Sequence, residues 1–179
     1  LSTAKGLSAI QRTRERGIRV IVETCPQYLL LDASLYGRPT SQDFEAAKYI
    51  MSPPLRSRRD QEAIWQGLAS GDIQFIGTDH CSFNFKGQKE MGRDDFSKIP
   101  NGAPGIELRM ALLYSYGVAR GRMDINRYSL VTSTNAAKYF GLYPQKGILQ
   151  VGSDADIVIL DPHAEWTVSQ ADLQENCDY

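Results

Sequence analysis

The chain has 179 residues, 42% hydrophobic and 23% charged, with a formal net charge of -1 at pH 7. That is the profile of an ordinary soluble globular chain of one domain, or one domain and a piece. The balanced charge offers no footprint for nucleic acid, and no apolar run approaches the ~20 residues that cross a bilayer.

Residues 1 to 16 (LSTAKGLSAIQRTRER) carry Leu7 and Ile10 on one face with charges opposite. This predicts a helix with Ser2 or Thr3 as its cap and Gly17 as its stop. The stretch is polar and has no apolar h-region, so it does not read as a signal peptide. Ile18 to Thr24 (IRVIVET) is short and β-branched, which predicts a buried strand. Arg59 to Ser70 places Ile64, Trp65 and Leu68 at helical spacing, and Gly71 with Asp72 turns the chain into a second strand, Ile73 to Thr78. The cluster Arg56 to Asp60 (RSRRD) reads as a solvated helix start rather than a binding patch. Alternating helices and apolar strands predict a parallel α/β sheet or barrel.

The polar stretch from His80 to Pro104 is too long for a routine connection, and loops of that length usually carry function or are disordered. Helices are predicted over Gly105 to Ala119, Asp124 to Val131 with Asp124 as cap, and Thr134 to Phe140 closed by Gly141. From Lys146 the period changes, and GILQVGSDADIVILDP reads as strand, turn and strand. The boundary is placed near Pro144, giving an α/β region over 1–143 and an appended β element over 144–179. The chain opens on Leu1 and stops at QENCDY, which reads as a fragment of a longer polypeptide.

Cys25, Cys81 and Cys177 are an odd set without framework spacing, so the expected compartment is a reducing cytoplasm. Cys25 and Cys81 both follow strand ends, where buried, inert thiols are the plain expectation.

Functional groups in parallel α/β folds gather beyond the carboxyl ends of the strands. Asp79 sits at such an end, in FIGTDHCSF. A carboxylate there can ligate a divalent metal, accept a proton or cap the next turn, and spacing leaves the three open. His80 beside it points elsewhere if both residues are extended. The chain has no HxH, no HExxH and no paired cysteines, so it does not supply the three protein ligands of a catalytic zinc. In MSPPLR, Pro53 and Pro54 stiffen the backbone after Ser52, which suits the presentation of carbonyls or simply a helix entry. Asn101 and Gly102 form a turn signal after Pro100.

The segments ETCPQYLLLD (23 to 32), MSPPLR (51 to 56), GTDHCSFNFKGQKEMGRDDFSKIPNGAPGIELR (77 to 109), STNAAKYFGLYPQKG (133 to 147) and VGSDADIVILDP (151 to 162) together resemble the later half of the hydantoinase and dihydropyrimidinase family. The last is shared widely across the amidohydrolase superfamily. The stretch from Asp79 through Asn101 is narrower and resembles D-hydantoinases more than allantoinases or dihydroorotases.

The resemblance implies the C-terminal portion of an α/β fold, a (β/α)8 TIM barrel, followed by strands of a small β-sandwich domain. It implies two divalent metal ions, usually Zn2+, held by an His-x-His pair, a bridging carboxylated lysine, two further histidines and one aspartate. Asp79 matches that aspartate, with the implied roles of metal ligand and proton shuttle; the lysine and histidines have no counterpart in this chain. Ser52 and Asn101 match the residues whose main chain holds the amide edge of the substrate ring. The implied substrate is a small cyclic amide or ureide, opened to an N-carbamoyl amino acid, and the implied assembly is a homotetramer.

Two alternatives stand beside this reading. One is a non-catalytic dihydropyrimidinase-like assembly protein, as in the collapsin response mediator proteins. The other is a sibling allantoinase or dihydroorotase, against which the FKGQKE loop speaks. A buried Asp79 favours an enzyme, since a scaffold gains little from an uncompensated buried carboxylate. With one ligand of the set in hand, the purified 179-residue chain is expected to hold no stoichiometric zinc and to leave hydantoin intact. Metal analysis and a turnover assay check this; stoichiometric metal with activity would refute it.

Overall fold

Helix α1 (Ala4–Glu15) starts where the Thr3 hydroxyl accepts a hydrogen bond from the Gly6 amide, which settles the choice between Ser2 and Thr3. Its inward face presents Leu7, and Arg14 in its last turn binds the carbonyls of Val20 and Asp72 and the side chain of Gln74. One guanidinium thus ties the helix to both strand approaches. The computed structural model describes residues 1–37 and 44–179.

Strands β1 (Glu23–Thr24) and β2 (Phe75–Ile76) pair in parallel, Glu23 opposite Phe75 and Thr24 opposite Ile76. They form a two-stranded sheet among the described residues. Both are shorter than the expected Ile18–Thr24 and Ile73–Thr78. The reason is that side chains take the backbone groups a longer ladder would use. The Gln74 carboxamide oxygen accepts from the Val22 amide at 2.9 Å, and Arg14 occupies the Val20 carbonyl. The main-chain bonds Gln74 N to Val22 O and Gly77 N to Thr24 O, both 3.0 Å, continue the pairing just outside the strands.

A short helix α2 (Pro26–Leu30) follows β1, with Pro26 at a first-turn position where no amide donor is needed. The crossover to β2 runs through α3 (Arg58–Ser70), opened by a capping box in which Ser57 and Asp60 bind one another's main chain. Asp60 also accepts from the Ala4 amide at 2.9 Å, so the charged cluster at residues 56–60 works as a helix start shared by α1 and α3. Gly71 ends α3 at φ 96°, in the left-handed region that glycine enters without strain.

Ile64, Trp65 and Leu68 of α3 join Leu7, Val22, Leu29, Ile73, Ile76 and Val131 in one apolar core. Burying each aliphatic chain of this size contributes roughly 1.5–3 kcal/mol. The Trp65 indole donates to the Leu29 carbonyl at 3.1 Å, so the ring is buried without an orphaned donor. A second cluster, Cys25, Tyr28, Met51 and Leu55, lies under the segment that carries Ser52.

The later helices depart from expectation. Helix α4 (Arg109–Leu113) runs into a π-helical turn at Tyr114–Val118. The two helices expected over 124–131 and 134–140 are one run: α5 (Ile125–Ser129), a π turn at Leu130–Thr134 and α6 (Asn135–Tyr139). Asp124 caps this run by accepting from the Arg127 amide, as its position suggests, and Gly141 follows it at φ 73°. The Asn135 carboxamide donates to the Gln74 carbonyl at 2.7 Å and so covers a main-chain acceptor beside β2.

Residues 146–162, expected as strand, turn and strand, carry the turn but no strand. Lys146 binds Asp154 at 2.9 Å and also Asp156, and the Ser153 amide bonds the Gln150 carbonyl at 3.2 Å. Beyond the turn, Ile157, Val158 and Ile159 are exposed, and no described strand lies alongside to pair with them. No described helix is long and apolar enough to cross a membrane.

In the full-length protein carrying this chain, Leu68→Ala, at a site with 0% exposure, is expected to cost about 2–5 kcal/mol. Arg58→Ala removes an ion pair to Asp32 in which the arginine side chain is 85% exposed, and is expected to leave the unfolding midpoint nearly unchanged. Thermal unfolding midpoints of the two variants compare these outcomes.

Candidate active site

Parallel pairing turns the chain segments after β1 and β2 to the same end of the sheet. Gln27 stands just beyond β1, and its carboxamide donates to the Thr78 carbonyl at 3.1 Å, linking the two strand exits. Asp79 follows with φ 52°, the single positive φ outside glycine among the described residues. Aspartate is one of the few side chains that enter this region, and such a conformation at a strand exit is typical of functional positions.

Asp79, Ser52 and Asn101 line one cavity of about 150 Å³, together with Gln27, Met51, Cys81, Gly102 and Ala103. The three residues singled out from the sequence are therefore brought together, although Ser52 and Asn101 are 49 positions apart. The Ser52 hydroxyl donates to the Asn101 side-chain oxygen at 3.1 Å. Asp79 is exposed at the mouth of the cavity rather than buried, so the argument from an uncompensated buried carboxylate does not apply to it.

Ser52 is held by its neighbours. The Ser52–Pro53 peptide is cis, the Pro53 carbonyl accepts from the Tyr28 hydroxyl at 2.8 Å, and the Leu55 amide donates to the Tyr36 hydroxyl at 2.7 Å. Asn101 is held through Gly102, whose amide donates to the Ile50 carbonyl at 3.0 Å. Gly102 has φ 149°, and a Cβ there would lie 2.3 Å from the Cys81 carbonyl oxygen, so this close approach requires glycine.

His80 turns away from the cavity. It forms a parallel bridge with Ala103, its Nδ1 accepts from the Ile106 amide at 3.4 Å, and it lies 3.8 Å from a Glu175 carboxylate oxygen. Its role is to fasten the long loop. The thiols divide: Cys25 is buried as expected, whereas Cys81 is exposed at the cavity edge, contrary to the expectation of two inert buried thiols. Burial first, then the Glu23 charge, pushes Cys25 up to about 12.

Sequence reading passed over Lys89, which is completely buried beneath the cavity wall and bonds three main-chain carbonyls. Its surroundings, FKGQKE, belong to the long polar stretch after Asp79, and nothing in that pattern marks one of the lysines as interior. A larger groove of about 590 Å³, lined by Leu29, Trp65, Leu108, Tyr116 and Leu173 among others, contains none of Ser52, Asp79 or Asn101.

The Amidohydrolase family profile matches residues 7–177. The chain belongs to the amidohydrolase family. Over its whole length this amidohydrolase chain is 49% identical to a D-hydantoinase of Geobacillus stearothermophilus and 46% identical to a D-hydantoinase of Streptomyces coelicolor, covering 37% and 38% of those proteins. The crystal structure of dihydropyrimidinase from Brevibacillus agri superposes on all of it with a TM-score of 0.95 at 50% identity, over 38% of that chain. An L-hydantoinase (dihydropyrimidinase) from Arthrobacter aurescens covers 87% of it with a TM-score of 0.74 at 35% identity, over 33% of that chain. The amidohydrolase chain thus spans less than two fifths of the length of these relatives, and its fold is that of their TIM-barrel type.

Among the described residues no group of three His, Cys, Asp or Glu side chains is placed to hold a metal ion. Asp79 fits a single coordination position: an accessible carboxylate at a strand exit, with no cation of this chain paired to it among the described residues. For the thiols, alkylation at pH 8 is expected to modify Cys81 well before Cys25, because a thiol at about 12 is ionised to only about one part in ten thousand. Peptide mass spectrometry of partially alkylated protein reads the order, and equal labelling would contradict it.

Proposed function

We propose that the protein carrying this chain is a cyclic amidohydrolase that opens the ring amide of hydantoins or dihydropyrimidines to N-carbamoyl amino acids. The observation that carries this reading is the convergence of Asp79, Ser52 and Asn101 on one small cavity at the carboxyl end of the parallel strands. The D-hydantoinase relatives, aligned over the whole chain, support the same choice of substrate class.

In this reading Asp79 would hold one of two divalent metal ions, Zn2+ by preference, with the remaining ligands supplied from outside these 179 residues. When bound, such a pair supplies Lewis acidity toward a carbonyl and lowers the pKa of water. Asp79 would move the proton, accepting it at a carboxylate oxygen from the water that attacks the ring carbonyl and delivering it to the amide nitrogen as the ring C–N bond breaks. Its exposed, left-handed position at the cavity mouth suits a group that must reach both partners. Main-chain groups of Ser52 and Asn101 orient the planar amide edge of the ring, and the Ser52 to Asn101 hydrogen bond holds their separation.

We further assign residues 1–143 to the C-terminal portion of the barrel and 144–179 to strands of a small β-sandwich. Exposed Ile157, Val158 and Ile159 support the second assignment, since a run of this kind calls for a sheet to cover it. A cytoplasmic homotetramer completes the reading.

The full-length protein, loaded with zinc, is expected to open hydantoin or dihydrouracil, measured by appearance of the N-carbamoyl product. Asp79→Asn is expected to lower kcat by about 10²–10⁴-fold. No ring opening with zinc, manganese or cobalt would overturn the assignment, and so would an Asp79→Asn variant of undiminished activity.

A further inference from the structure

Lys89 heads the buried side chains of the described residues, with 0% exposure, in a 3₁₀ turn (Lys89–Gly92) of the long loop after β2. An ammonium group taken out of water is costly unless each of its donors is matched. It has three donors. Here Nζ donates to three main-chain carbonyls, Ile50 at 2.9 Å, Pro100 at 2.7 Å and Gly102 at 2.7 Å. The Phe83 ring centroid lies 5.8 Å away and adds a face of negative charge density. Burial lowers the group to about 8, while the three carbonyl acceptors match the three donors of the ammonium form.

The choice of acceptors is what gives this group a function. Ile50 lies two residues before Ser52, and Pro100 and Gly102 flank Asn101. One cation therefore grips the backbone on either side of the Ser52 to Asn101 contact, while Lys89 itself does not line the cavity. The Ile50 carbonyl is shared, accepting from the Gly102 amide at 3.0 Å as well. Charge-assisted bonds of this kind are short and roughly twice as strong as neutral ones, which suits a group that must keep two loops in register.

We propose that Lys89 is a positioning residue that sets the separation of Ser52 and Asn101, and with it the rim that receives the amide edge of the substrate ring. The proposal rests on the cyclic amidohydrolase reading above. A role confined to stability would lower the amount of folded protein without altering substrate binding in what remains; a positioning role appears in KM.

The test compares full-length, zinc-loaded wild type with Lys89→Met and Lys89→Arg in steady-state hydantoin kinetics, with metal content measured alongside. Lys89→Met is expected to raise KM by about tenfold or more, with kcat within about threefold and metal content unchanged. Lys89→Arg keeps the charge but puts a larger, planar guanidinium where a compact ammonium meets three carbonyls, and is expected to raise KM as well, though less than Lys89→Met does. A Lys89→Met protein with KM within about twofold of wild type overturns the proposal, as does a loss confined to kcat or accompanied by loss of metal. If Lys89→Met is recovered unfolded, Lys89→Gln, which loses the charge but keeps a polar end, decides: a KM raised about threefold or more at unchanged metal content supports the proposal, and a KM within about twofold of wild type overturns it. Wild type that opens neither hydantoin nor dihydrouracil overturns the amidohydrolase reading and this proposal with it, whereas active wild type with an indifferent Lys89→Met overturns this proposal alone.

Discussion

Parallel pairing of Glu23–Thr24 with Phe75–Ile76 requires the chain to cross over between the strands, and α3 is that crossover. Because the strands run the same way, the exits after Thr24 and after Ile76 lie at one end of the sheet. Gln27 and Asp79 are neighbours for this reason, and the hydrogen bond from Gln27 to the Thr78 carbonyl records it. An antiparallel pair would send the two exits to opposite ends, and no cavity would join them. The core formed by Ile64, Trp65, Leu68, Val22 and Ile76 holds the crossover in place, so burial far from the cavity underwrites its geometry.

The long loop after β2 must be ordered without a sheet or long helix of its own, and its backbone groups find partners one at a time. Cys81 bonds the Ala103 carbonyl at 3.1 Å, closing the loop at its base. At its tip, Asp178 accepts from the Phe85 and Lys86 amides, and the Cys177 thiol bonds the Phe83 carbonyl at 3.2 Å. Tyr179 reaches the Lys48 carbonyl at 3.2 Å and ties the same region to the segment leading to Ser52. Lys89 supplies the interior anchor. The cavity wall is thus made of main chain held by scattered side chains, a construction that tolerates little movement of any single support.

The residues themselves mark the candidate site only in part, and the family resemblance supplies the roles of Ser52 and Asn101. Asp79 stands out because an acid directly after an apolar strand occupies the functional end of an α/β unit. Ser52 and Asn101 stand out less sharply, since a proline pair and an Asn-Gly turn have ordinary structural uses. Lys89 does not stand out at all, because burial of a lysine depends on carbonyls that arrive from residues 50, 100 and 102. Exposure of Cys81 beside a buried Cys25 is equally invisible in sequence, for it depends on which residues cover each thiol.

The sequence by itself determined several local devices: a cap at Ser2 or Thr3, Asp124 as a cap, the Gly71 stop and the apolar stripe of α3. Each is decided by residues within a turn or two of one another, so composition and spacing suffice. Tertiary structure decided the length of the strands, where Arg14 and Gln74 replace part of the ladder, and the joining of 125–139 into one helical run. It also decided that Ser52, Asp79 and Asn101 share a cavity and that Lys89 lies beneath it. These depend on contacts between residues dozens of positions apart, and no local pattern encodes where the distant partner will be.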